Sequence, residues 1–227
     1  MPAPMTNQPL SYVAGSAGWR SLFVLFGLLY VAGGVQHPPG SMAEMLANPI
    51  WVRGHATTLC GLMLLTAGLV LFRRARPGPS VNRWLLPVIA TAALETLEMA
   101  VHMMAYVDAE AMAAGHSTPV LTTHLWLATL VYPCFAFALV GLIWAGQRER
   151  SLGSPWIGWI GMVGAVAHGV VMVMVMVHPL KIGPTGLLFP VAVLSLALWF
   201  ILAGVWPVGR RSPAATSGRD TVGALLR

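Results

Sequence analysis

Six long apolar stretches, separated by short polar segments, dominate the chain. They run roughly over Gly18–Val35, Trp51–Phe72, Trp84–Tyr106, Val120–Gly146, Pro155–Val177 and Leu187–Trp206. A helix needs about 20 mostly apolar residues to cross a hydrocarbon core of about 30 Å. Backbone groups in lipid must be satisfied within the span, which continuous helices achieve. The pattern therefore predicts an all-α integral membrane bundle of six transmembrane helices over residues 1–206. Residues 207–227 are polar and rich in Ser, Gly and Arg, and are expected to form a disordered cytoplasmic tail. The first stretch is the shortest, because its apolar run begins after Arg20, a side chain able to snorkel to the interface. A cleaved signal sequence there would leave five spans; that alternative stays open beside a retained anchor.

Between the spans, local signals predict smaller features. Ser41-x-x-Glu44 reads as a capping box and Asn48-Pro49 as a stop, which together predict a short surface helix. Residues 107–118 read as a loop carrying Asp108, Glu110 and His116. It closes on Ser117-Thr118-Pro119, an N-cap followed by a proline suited to the first helical turn. Trp19, Trp51, Trp84, Trp156 and Trp206 lie near span ends, where an interfacial belt is expected. Pro87 and Pro133 fall within spans three and four as expected kinks.

Composition narrows the function classes. Hydrophobic residues make up 57% of the 227 and charged residues 9%, whereas soluble domains carry about a quarter charged. A soluble enzyme, a disordered chain and a nucleic-acid-binding domain are thereby excluded. The net charge of +6 is a topology signal, because eleven of the thirteen basic residues fall on one side of the predicted spans. Only Arg53 and Lys181 fall on the other. The positive-inside rule then predicts both termini in the cytoplasm, and the chain is expected in the inner (plasma) membrane of the cell. The expected partners are the lipid bilayer, other membrane subunits or an electron-transfer partner, and no nucleic acid. Two cysteines, Cys60 and Cys134, exclude a disulfide scaffold and read as small hydrophobes within spans.

The candidate chemistry lies in the polar residues inside spans. His55, His102 and His124 fall a turn or so inside the outer ends of spans two, three and four, and His168 falls near the middle of span five. His37, His116 and His178 are expected at the outer surface. Glu95, Glu98 and His102 follow i, i+3, i+7 spacing and so share one helix face. That face must turn inward, because a charge at mid-bilayer costs several kcal/mol. No Lys or Arg lies deep in any span, so a metal ion, a protonated His or the carboxyls' own protonation must neutralise them. Gly161, Ala165 and Gly169 form a small-residue stripe beside His168, which favours close helix approach. These residues predict a polar pocket open to the outside.

Three kinds of chemistry suit such a pocket. Glu98, His102 and His124 can ligate a transition metal (Cu, Zn or Fe), with His55 or His168 as a fourth ligand. Alternatively, His55, His124 and His168 are candidate haem ligands. Glu95 and Glu98 are the candidate catalytic pair of a membrane-embedded acid–base enzyme, of isomerase or cyclase type, acting on a lipid-soluble substrate. Intramembrane Glu/His sets also serve proton- or ion-coupled transport. The thirteen methionines, among them Met99, Met103, Met104, Met172, Met174 and Met176, read mainly as packing.

Six spans with one His on each of spans two to five resemble the cytochrome b561 arrangement of transmembrane electron carriers. The resemblance implies haem b held by His55 and His124, and hence redox function as an oxidoreductase. His102 and His168 depart from that family's second haem pair by their depth, and Glu95 and Glu98 are foreign to it. Glu98, His102 and His124 are also similar to the metal site in the copper-binding C subunit of membrane-bound methane and ammonia monooxygenases. Here the acid is Glu rather than Asp and the two His lie further apart in sequence.

Overall fold

The computed structural model describes residues 11–75, 77–177 and 184–206. Among them there are helices and no strand. The long helices are α1 (Ser11–Val35), α3 (Ile50–Arg74), α4 (Pro79–Met104), α6 (Pro119–Glu149), α7 (Pro155–Val177) and α8 (Pro184–Val205). Two short ones, α2 (Met42–Ala47) and α5 (Ala109–Ala113), lie in connections, α5 preceded by a single 3-10 turn at Ala105–Asp108. Six helices are long and apolar enough to cross a membrane, as the hydrophobic pattern predicts. His178, Lys181 and the tail 207–227 lie outside the described residues.

The long helices form a closed ring. In chain order each packs on the next, and α8 returns to α1. Short connections make consecutive helices antiparallel. Within the ring, Phe23, Leu69, Leu85, Leu139 and Phe200 are wholly or almost wholly buried. Its outer surface carries Leu28, Trp126, Leu130, Phe137 and Trp159 exposed. An exterior this apolar is matched to hydrocarbon rather than water. At Gly33, α1 and α3 meet so closely that an added Cβ would fall 2.1 Å from the Thr58 hydroxyl oxygen and 2.9 Å from the Gly54 carbonyl oxygen. Small residues permit such approaches between membrane helices. In the predicted stripe on α7, Gly161 abuts Trp199 of α8 and Gly169 abuts Ala136 of α6, one small residue for each neighbour.

The ends of the helices bear out some local signals and correct others. The Ser41–Glu44 capping box is formed and starts α2. The Ser41 amide and hydroxyl hold the exposed Glu44 carboxyl below the usual carboxylate range. Asn48 ends α2, and its side-chain oxygen accepts from the Ile50 amide at the start of α3. Pro119 does begin α6, but the Thr118 side chain does not cap it. Buried Asp108 accepts from the Leu121 amide at 2.8 Å and does so instead. The expected loop 107–118 is thus largely helical, with Glu110 and His116 exposed. At the opposite end, Glu149 accepts from the Ser80 amide at 2.7 Å, tying the start of α4 to the end of α6. Trp19 and Trp51 are buried inside the ring rather than placed in a belt, whereas Trp156 is exposed. Pro87 and Pro133 lie inside continuous helices.

Candidate metal centre

Glu95, Glu98 and His102 share the inward face of α4, as their spacing predicts, and all three are buried. His55 on α3, His124 on α6 and His168 on α7 are buried as well. All six expected site residues therefore lie in the interior, where no Lys or Arg among the described residues is buried. They form two linked groups rather than a single crevice.

Nearer the arginine-poor end stand His55, His102, His124 and Glu98. Ligating atoms of Glu98, His102 and His124 lie within 4.8 Å of one another, so one ion can reach all three. Glu98 Oε1 is in direct contact with His124 Nδ1. The other oxygen, Oε2, accepts from the Tyr132 hydroxyl at 2.9 Å. His102 stacks on His124 with ring centres 3.7 Å apart and contacts His55 at 4.4 Å. Among the described residues the buried His102 Nδ1 has no hydrogen-bond partner. A buried, unsatisfied imidazole nitrogen is costly unless something binds it, and its chemistry suits a transition ion.

His55 is held by its own helix. Its Nδ1 lies 2.7 Å from the Trp51 carbonyl oxygen. A carbonyl only accepts, so Nδ1 carries the proton and Nε2 presents a lone pair. Metal-binding histidines are oriented in this way. The buried Trp51 ring packs on His55 at 4.1 Å and on His102 at 5.1 Å, while its indole N–H donates to the Met103 carbonyl. His37, just past α1, approaches His55 at 5.3 Å. Burial pushes the His37 imidazole below its usual range, opposed by its bond to the Pro38 carbonyl.

Deeper in the ring, His168 Nε2 lies 2.9 Å from Glu95 Oε1, and its Nδ1 is hydrogen-bonded to the Tyr30 hydroxyl at 3.0 Å. Tyr132 joins the two groups, with its hydroxyl on Glu98 and its ring 5.0 Å from that of His168. His168 is therefore paired with Glu95 and Tyr30, one layer below the cluster around Glu98. Tyr30, Tyr132 and Trp51 are the site residues that sequence reasoning missed. Trp51 read as part of an interfacial belt and the two tyrosines carried no signal of their own, so only the neighbouring helices reveal what their polar atoms meet.

Other expectations resolve more simply. Cys60 and Cys134 are exposed on the outside of the ring, away from the cluster. Met99 and Met172 pack in the core, and Met174 is exposed. The polar groups are packed against one another, while a concavity of about 570 Å³ lies on the outer face between α3 and α4, lined by Met63, Thr66, Ala93 and Thr96. A haem clamped between His55 and His124 needs its macrocycle to lie between the two rings. The imidazole of His102 packs on both of them, so this arrangement fits a single ion and not a porphyrin. Compared with known protein families, with curated proteins and with solved structures, the chain has no match.

Proposed function

We propose that this multi-pass membrane protein holds one transition ion at Glu98, His102 and His124, in the half of the bundle facing away from the cytosol, and that the ion serves redox chemistry. The observation that carries the reading is the convergence of three buried ligating atoms within 4.8 Å, one of them on an imidazole whose Nδ1 is otherwise unsatisfied. Two imidazoles and one carboxylate suit Cu, Fe or Zn, and the first two are redox-active. The ion supplies positive charge where Glu98 has no Lys or Arg to pair with. Tyr132 and the Glu98–His124 contact orient the ligands, as outer partners of metal sites do.

A second reading has one observation in its favour. The buried Tyr30–His168–Glu95 group joins a hydroxyl, an imidazole and a carboxyl in sequence, which is equipment for passing a proton. Acid–base chemistry at Glu95 then accompanies the ion or replaces it. Elemental analysis of the purified protein, after exposure to Cu, Zn and Fe in turn and removal of free ion, separates the two. One tightly held ion per chain is expected, lost in His102→Ala and in Glu98→Gln. Retention of a full ion by both variants would overturn the assignment, and an absence of any ion in the unmodified protein would shift the reading to Glu95.

A further inference from the structure

The central cluster does not end at His55. His37 is half-buried at the arginine-poor end, directly after α1. Its Nδ1 lies 3.2 Å from the Pro38 carbonyl oxygen. Since that oxygen can only accept, the proton sits on Nδ1 and Nε2 carries the free lone pair. His55 repeats the arrangement against the Trp51 carbonyl. Two neighbouring imidazoles thus have their Nδ1 protons fixed on backbone and their Nε2 atoms available for ligation. The two ring centres are 5.3 Å apart at 68°. With metal–nitrogen bonds of about 2.0–2.1 Å, two imidazoles sharing one ion at a tetrahedral angle place their ring centres about 5 Å apart. Trp51, buried and hydrogen-bonded to Met103, packs on His37 at 5.5 Å as well as on His55. Phe189 of α8 flanks His37 at 6.3 Å.

We propose that His37 and His55 form a second, outer metal position, a two-imidazole capture site for a borderline or soft transition ion, from which the ion passes to the Glu98 cluster. The proposal rests on the metal reading of that cluster. The imidazoles make a continuous column, with ring centres 5.3 Å apart from His37 to His55, 4.4 Å from His55 to His102 and 3.7 Å from His102 to His124. Charge gives the column a direction. The outer position offers two neutral rings, whereas the inner one adds the Glu98 carboxylate in contact with His124. A cation is held more weakly outside than inside and moves toward the carboxylate. No bond other than ligation forms, so transfer needs no co-reactant.

Zn(II) titration of the full-length protein in detergent, with bound ions counted against a fluorescent chelator, tests the proposal. The unmodified protein is expected to hold two ions per chain, one tight and one weak. His37→Gln should lose the weak ion and keep the tight one, and His37→Cys, which supplies a different ligand at the same place, should restore it. Glu98→Gln should lose the tight ion and keep the weak one. Two ions in His37→Gln, or one in the unmodified protein, would overturn the outer site while leaving the inner one standing. No ion in the unmodified protein would overturn both. Unchanged helical content and a single elution peak for His37→Gln keep a folding defect from imitating the result.

Discussion

Tyr132 donates to one oxygen of Glu98, and His124 contacts the other. The carboxylate is thereby fixed from two sides, and its remaining lone pairs are aimed rather than free to rotate. Outer partners of this kind are worth about 10–100-fold in metal affinity. Tyr132→Phe keeps the buried ring and removes only the donor, so it should weaken ion binding by about that factor in a competition titration, with helical content unchanged. Affinity equal to that of the unmodified protein would show that the Tyr132 hydroxyl does not position the ligand. At this scale the acidic and imidazole residues were legible, because a carboxylate in an apolar span must turn inward and i, i+3, i+7 spacing places Glu95, Glu98 and His102 on one face. The tyrosines were not. A Tyr ring packs like any aromatic, and its hydroxyl finds a partner only through another helix: Tyr30 meets His168 across 138 residues of chain.

Among the elements, α6 shows how a loop governs the site. Its first turn contains Leu121, whose amide donates to Asp108, and His124 lies three residues further on. Asp108 is buried at the end of the 3-10 turn that follows α4, the helix carrying the other two ligands. One carboxylate therefore ties the beginning of α6 to the end of α4. Removing an N-terminal cap costs about 1 kcal/mol, within a range of about 0.5–2. Asp108→Ala should speed hydrogen exchange at the amides of residues 121–124 and weaken ion binding, while amides deep in α6 stay protected. Unchanged exchange at those amides would mean the cap does not hold the ligand helix. The spans themselves were legible from length and hydropathy, and the Ser41–Glu44 helix from its capping box. The Asp108 cap was not, because its acceptor lies thirteen residues before its donor. Neither was the compact path of 105–113, where the apolar side of the 3-10 turn packs Ala105 against Leu46, Trp51 and Leu121.

The whole ring is polarised along its axis. Every buried Glu, Asp and His lies in the middle or toward the arginine-poor end, whereas the other half is filled by residues such as Phe23, Leu69, Leu85, Leu139 and Phe200. Among the described residues no titratable side chain is buried in that apolar half. A transport route through the bundle would need polar groups there to replace water around an ion. What a cluster nearer one face can meet depends on the orientation of the bundle, and the positive-inside rule predicts that orientation from the arginines. Arg20, Arg73, Arg74, Arg83, Arg148 and Arg150 gather at the apolar end, and positive loops are retained in the cytoplasm. Single cysteines can read this directly, once the lipid-facing Cys60 and Cys134 are replaced by Ala. Ser117 and Asn82 are exposed at opposite ends of the bundle. In intact cells a membrane-impermeant maleimide should label Ser117→Cys and leave Asn82→Cys unlabelled until the membrane is permeabilised. The reverse pattern would turn His37 and the Glu98 cluster toward the cytosol. The ion would then come from the reducing side of the membrane, and an outward electron or metal partner would have no route to it.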